Sequence, residues 1–267
     1  MKIAVILNAH GDTPLVLDTI DAIKTWVTDD ILVVIDGAAR KWSENVDLPV
    51  VKLNGFRHNC PKSPYRNVTL GMMETVKKWP DADWYCYMEY DVLFTSSEFK
   101  RDLEFGNKDL WCIGNDSRHG SYKFPLLETI TKMKFNCSKY LLGCCVFHRG
   151  KFLRKLQDMN FFERFLYYTN DFDKGFFPGY DGYDFAEHLY PTLAHHLGGK
   201  VGHFASWGGT ETEGWSGNYL RYPMRWKPEL SLKENFKDAT IMHPLKSVDH
   251  PIREHHRINR IEYKRVS

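Results

Sequence analysis

The sequence predicts an α/β fold with a central mixed, mostly parallel sheet flanked by helices. Short apolar runs alternate with helical stretches through residues 1–95. Those runs lack a clean apolar/polar alternation, which marks strands covered on both faces. The segments between them are short, as in layered α/β folds.

"KIAVILN" reads as the first strand. In "TPLVLDTIDAIKTWV", Val16, Ile20, Ile23 and Val27 recur at helical spacing, Thr13 can cap and Pro14 suits the first turn. "DILVVIDG" is a second strand ending at Asp36-Gly37, and "LPVVKLNG" a third ending at Asn54-Gly55. "YRNVTLGMMETVKKWP" is a second helix with Val68, Met72, Val76 and Trp79 on one face, stopped by Pro80. "DWYCYMEYD" is the fourth strand. The second half is less regular. "DLWCIGND", "YLLGCCVFH" and "KVGHFA" read as strands and "RGKFLRKLQDM" as a short helix. "GYDFAEHLYPTLAHHLGG" is helical, with Pro191 expected to kink or divide it and Gly198 to end it. Residues 206–228, rich in Gly, Trp and Tyr, read as a long functional loop. No repeat or linker interrupts the chain, so residues 1–267 are expected to form one domain with lobes at 1–95 and 96–267.

Composition narrows the classes. At 43% hydrophobic and 15% aromatic, the 267 residues can build a large core. A formal net charge of +2 gives no sign of a nucleic-acid partner. The start "MKIAVILNAHGD" lacks a secretory leader's apolar core, and no apolar run approaches the ~20 residues of a membrane helix. Cys60, Cys86, Cys112, Cys137, Cys144 and Cys145 form no CxxC pair, which fits a reducing, cytoplasmic setting. In that setting the sequons at Asn67, Asn115 and Asn136 are chance matches. The basic run "REHHRINRIEYKR" reads as a solvated helix face, with peripheral contact to an anionic membrane surface as the other reading.

In open α/β sheets, ligands bind beyond the carboxyl ends of the strands. Four polar clusters meet there: Asn8-Ala9-His10, Asp36-Gly37, Asn54-Gly55 and Glu89 with Asp91. On a strand, residues i and i+2 face one side, ~6.6 Å apart, so Glu89 and Asp91 can converge. A pair of this kind can hold Mg²⁺ or Mn²⁺. The bland alternative is two solvated turn carboxylates.

This order of parts resembles the nucleotide-binding half of GT-A glycosyltransferases, a Rossmann-like fold. "EYD" at 89–91 is similar to that family's DxD motif, with Glu in place of the first Asp. "YRNVTLGMMETV" resembles the family's "aRNxGxxxA" helix through Arg66, Asn67 and Gly71, the Gly one residue late. "NAHGD" resembles the first-strand loop that cradles the nucleotide, and Asp36 the acid that touches base or ribose. The resemblance implies a nucleotide-sugar donor, UDP-sugar foremost, contacted by Asn8, Ala9, His10, Asp36, Arg66, Glu89, Tyr90 and Lys246. It implies Mn²⁺ or Mg²⁺ on Asp91, Glu89 and His243, because "HPLK" is similar to the C-terminal His and Lys that several GT-A families bring back to the metal and the diphosphate. Asp91 is the safer metal ligand, since the longer arm of Glu89 can serve metal or ribose.

"PGYDGYDFAEHL" supplies Asp181, Asp184 and Glu187. Asp184 can cap the helix that follows. The resemblance makes Asp184 or Asp181 the general base of an inverting reaction, while a retaining one needs no such base. Gly143 in "GCCVFHRG" resembles the strand beside the donor sugar. Trp207 and Trp215 are candidate sugar-stacking residues of an acceptor lid, with plain core packing as the other reading. His195, His196 and His203 show no zinc spacing.

The expected function is metal-dependent transfer of a sugar to a hydroxyl of a glycan, protein or small acceptor. One rival is a sugar-phosphate nucleotidyltransferase, which should carry a Gly-rich basic loop where "NAHGDTP" has one Gly and no Lys or Arg. The other is a non-catalytic carbohydrate-binding protein of the same fold.

Overall fold

The computed structural model describes residues 1–9, 13–35, 46–52, 63–106, 108–112, 125–137, 139, 141, 143–169, 182–203, 220–221, 240–243 and 245–266. A mixed sheet with helices on both faces forms its centre. β1 (Ile3–Asn8), β2 (Ile31–Ile35), β3 (Val50–Lys52), β4 (Trp84–Glu89), β6 (Leu110–Cys112), β7 (Cys145–Arg149) and β8 (Val201–His203) pair in the order β3-β2-β1-β4-β7-β6-β8. β7 is antiparallel to β4 and β6, and the other pairings are parallel. A second sheet, β5-β10-β9, joins β5 (Leu93–Phe94), β10 (Ile241–Met242) and β9 (Leu220–Arg221).

Successive residues of β1, β2 and β4 enter two different cores. Ala4, Ile6, Leu32, Val34, Tyr85 and Tyr87 meet α2 (Ser63–Lys78), α5 (Gly150–Asp158), α6 (Phe161–Tyr168) and α7 (Gly182–His196). Ile3, Val5, Leu7, Val33, Trp84, Cys86 and Met88 meet α1 (Thr13–Trp26) and α3 (Lys100–Phe105). With both faces covered, neither set can be polar, and the period-2 signal disappears. α4 (Pro125–Thr131) adds Leu127 and Ile130 to the first core. Where α1 meets the small sheet, Ala22, Leu93, Met242, Leu245 and Ile252 form a third, smaller cluster.

Gly71 lets α2 approach the sheet. A Cβ there would lie 2.5 Å from Ile6 Cγ2 and 2.8 Å from Val34 Cγ2, both branched side chains inside the core. Pro191 does not divide α7, which runs on to His196. The proline has no N–H for the carbonyl of Glu187, four residues back. Leu141 N donates to that carbonyl instead, at 3.0 Å. Gly198 ends the helical run at φ +82°, with Gly199 N bonding back to Ala194 O at 2.7 Å.

The basic C-terminal run is α8 (Pro251–Val266), which docks on α1. Arg253 and Arg260 are buried rather than solvated, because Asp18 of α1 receives both. Arg257 and the Asp21 pairs with Arg260 and Lys264 extend this network, and Trp26 packs on Tyr263 with ring centroids 4.7 Å apart. α3, α4, α6 and the two-residue strands are elements the sequence reading did not anticipate.

Two predictions follow from this core. Gly71→Ala forces backbone or side-chain shifts and should cost about 1–3 kcal/mol in urea unfolding, with secondary structure retained. Burial pushes the pKa of His148 on β7 down to about 3. The unfolded chain, near the usual histidine value, therefore takes up a proton that the folded protein refuses. His148 costs no stability above about pH 6.5, and stability falls as pH drops toward 3. Between about pH 8 and pH 5 the loss from this residue should be about 2 kcal/mol, and His148→Gln should flatten that slope.

Candidate metal and donor site

β4 ends at Glu89, two residues earlier than its sequence suggests. Glu89–Val92 form a turn in which Val92 N bonds Glu89 O at 3.2 Å. Glu89 and Asp91 therefore converge through this turn, not through the two-residue strand repeat. The turn is held from several directions. Glu89 N donates to Cys144 O at 2.9 Å, Tyr90 N to Asn8 O at 3.1 Å, and Leu245 N to Asp91 O at 2.9 Å. Thr19 Oγ1 of α1 donates to Tyr90 O at 2.6 Å.

β5 begins just after the turn and pairs antiparallel with β10, Leu93 opposite Met242. One step further, His243 falls opposite Val92 and beside the acids. Its Nε2 lies 3.2 Å from Asp91 Oδ1 and 3.6 Å from Glu89 Oε2. Lys246 Nζ stands 4.0 Å from Asp91 Oδ2. The side chains form a gradient of exposure: Asp91 3%, His243 11%, Glu89 37% and Lys246 57%.

Burial alone would lower the pKa of His243. The Cys144 sulfur and the Asp91 and Glu89 carboxylates outweigh it and raise the value well above the ordinary one. Burial alone would raise Asp91. The His243 cation and then Lys246 outweigh it, and the carboxyl is held below its usual range. Without a metal, an imidazolium thus balances the acids.

Glu89, Asp91 and His243 each offer a ligand atom, and the three atoms lie within 4.8 Å of one another. Metal–ligand bonds of ~2.1 Å at right angles separate neighbouring ligand atoms by ~3.0 Å, close to the 3.2 and 3.6 Å between His243 and the two carboxylates. Asp91 Oδ1 is buried and accepts no hydrogen bond among the described residues, although it faces His243. Two carboxylates suit Mn²⁺ or Mg²⁺, and the imidazole favours Mn²⁺ of the two. The residues fit a divalent cation.

The other expected donor contacts fall differently. Asn8 is buried, and its Nδ2 donates to Tyr87 Oη at 3.1 Å. Ala9 is also buried, with its N–H on Val34 O at 3.0 Å. Arg66 is buried on α2 and sends Nη1 to the end of α6, 2.8 Å from Leu166 O and 2.6 Å from Thr169 Oγ1. Tyr90 lies in the acidic turn, half-buried against the second core. Asp184 lies at the start of α7. His10, Asp36, Asn54, Gly55, Asp181, Trp207 and Trp215 lie outside the described residues.

Cys144 lies beside His243, and Gly143 before it is held by Glu187, whose Oε1 accepts from Gly143 N at 2.9 Å. Cys144 is also part of the second core.

No model of a known protein family matches the chain, and no curated protein matches it. Solved structures do resemble it. A glycosyltransferase involved in glycosylation of the major capsid of PBCV-1 aligns at TM-score 0.46 and 11% identity over 96% of this chain and 100% of its own. The galactosyltransferase LgtC, in complex with donor and acceptor sugar analogues, aligns at 0.45 and 16% over 97% and 95%. The mannosyltransferase PcManGT from Pyrobaculum calidifontis, with GDP-Man and Mn²⁺, aligns at 0.33 and 13% over 58% and 46%. At these values the likeness carries no argument about activity, which is read from the residues of this chain.

Removing the imidazole tests the charge balance. His243→Ala leaves Glu89 and the buried Asp91 facing each other, and should cost about 3 kcal/mol near neutral pH. The deficit should shrink on acidification as Asp91, deprived of its cation, takes up a proton. Urea unfolding at two pH values measures both effects.

Proposed function

We propose that this chain is a metal-dependent glycosyltransferase. It would transfer a sugar from a nucleoside diphosphate donor, UDP-sugar foremost, to a hydroxyl of a glycan, protein or small molecule. The observation that carries the reading is the meeting of Glu89 and Asp91 with His243, more than 150 residues further along the sequence, at the carboxyl end of a central strand. Strand ends of this kind are where open α/β sheets bind ligands.

Glu89, Asp91 and His243 would hold Mn²⁺ or Mg²⁺. When bound, that ion supplies charge neutralisation for a leaving diphosphate. The residues of the chain have separate tasks. Asp91, almost fully buried, anchors the site, and the more exposed Glu89 closes it toward solvent. Lys246 is long, exposed and beside Asp91, so its ammonium can follow the diphosphate oxygens and stabilise the charge that develops there. Asp184 and Asp181 are the candidates for the base that takes the acceptor hydroxyl proton in an inverting reaction.

A cytoplasmic location belongs to the same proposal. Among the described residues, Cys86, Cys137, Cys144 and Cys145 form no disulfide, and no helix is long and apolar enough to cross a membrane.

Asp91→Asn keeps the shape of the side chain and removes its charge. In a panel of nucleotide sugars with Mn²⁺, the wild type should release sugar from at least one donor. The variant should be slower by at least about a thousandfold while keeping its circular dichroism spectrum. Near-normal turnover by the folded variant would refute the proposal. Pyrophosphate release from NTP and sugar 1-phosphate would instead point to nucleotidyl transfer. UDP binding without metal dependence or sugar release would point to a binding protein.

A further inference from the structure

The acidic turn and the segment after β10 share a support on α1 that touches none of the three candidate ligand side chains. Asp18 and Thr19, adjacent on α1, are 8% and 0% exposed. Thr19 holds Tyr90 O directly. Asp18 reaches the same turn through α8. Its Oδ2 accepts from Arg253 Nη1 at 2.7 Å, and Arg253 Nε donates to Leu245 O at 3.0 Å. Leu245 N in turn donates to Asp91 O at 2.9 Å. Leu245 lies two residues after His243 and one before Lys246, so this series ends between two side chains of the site.

Charge alone does not fix the place of Arg253. Arg257 Nε is 3.2 Å from Asp18 Oδ1, and Arg260 Nη2 bonds the same oxygen. Asp21 shares Arg260, and the Asp91 carboxylate also attracts Arg253, which is fully buried. Its Nη2 meets no acceptor among the described residues. Buried ion pairs are weak sources of stability, because desolvation offsets their attraction. A planar guanidinium can, however, donate to two acceptors at a fixed angle, which an apolar side chain or a lysine cannot do. Here the two acceptors are the α1 carboxylate and the main chain beside His243.

We infer that Asp18 and Arg253 are positioning residues for the Glu89–Asp91–His243 site. Asp18 orients the Arg253 fork. The fork fixes the Leu245 peptide, and that peptide sets the backbone of Asp91 and the approach of His243 and Lys246. The inference rests on the reading of that site as a divalent-cation site. Neither residue touches the cation or a substrate. Loss of such an outer partner typically weakens metal affinity by about 10–100-fold.

The test is Mn²⁺ binding to the full chain, followed by electron paramagnetic resonance without nucleotide, beside thermal unfolding of each variant. Arg253→Lys keeps a cation beside Asp18 but loses the two-acceptor fork, and should fold and bind Mn²⁺ about 10–100-fold more weakly. Asp18→Asn should shift affinity the same way. Arg260→Met removes another Asp18 partner, one that bonds the α1 carboxylates of Asp18 and Asp21 and not the main chain after β10, and should lower the melting temperature while leaving Mn²⁺ affinity unchanged. Wild-type affinity in Arg253→Lys, or an equal loss in Arg260→Met, overturns the positioning role and leaves the metal site standing. A wild type that binds no Mn²⁺ overturns the site reading and the positioning role together.

Discussion

Two carboxylates brought together where one is almost fully buried require a cation, and much of the second half of the chain is arranged to deliver one. Asp91 cannot retreat into solvent, because its own carbonyl is held by Leu245 and its neighbour Tyr90 is tied to Asn8 and Thr19. Burial of an unpaired carboxylate is expensive. The compensation arrives through β10, whose pairing with β5 sets His243 opposite the turn. The small sheet β5-β10-β9 is thus a device for register: it converts a long sequence separation into contacts of 3.2 and 3.6 Å.

The two sequence halves therefore form one unit at the site. The first half supplies the acids at the end of β4 and in the turn after it, while the second supplies Cys144 on the approach to β7 and His243 after β10. Pro191 contributes at a distance. The carbonyl it leaves without a helical donor receives Leu141, and the Glu187 side chain of the same turn receives Gly143. A local defect in α7 thus pins the segment that leads to Cys144 and to the acceptor of the Glu89 N–H.

The elements legible in the sequence are those with enough residues to show a period. α1 and α2 bury the faces that Val16, Ile20 and Ile23, and Val68, Met72 and Val76, announced. The apolar runs of β1, β2 and β4 were readable because two cores claim alternate residues. Two-residue strands such as β5 and β10 carry no period, so the sheet that places His243 could not be read locally. His243 came instead from its resemblance in position, and the turn at Glu89–Val92 was hidden by β-prone residues on both sides. Arg66 shows how a motif position can serve packing, since its Nη1 bonds the end of α6. α8 looked like a solvated basic face. The missed signal was on another element: Asp18, an acid within the apolar face of α1, together with Arg253, Arg257 and Arg260 at spacings of four and three residues.

The cations around Asp91 differ in freedom, and that difference suits different tasks. Arg253 is completely buried and bridges two elements, so its charge is fixed in place whatever occupies the site. Lys246 is more than half exposed, with only a distant contact to Asp91, so its charge can move with a ligand. His243 lies between these extremes, mostly buried but facing both acids. A fixed charge can set backbone geometry without reorganising, whereas a mobile one can meet an anion wherever it enters. Exchanging the two would leave the sum of charges the same and remove both functions: a lysine at 253 could not span its acceptors, and an arginine frozen at 246 could not follow a leaving group. The distribution of burial, more than the count of charges, is what makes this strand end a candidate for catalysis rather than a neutralised turn.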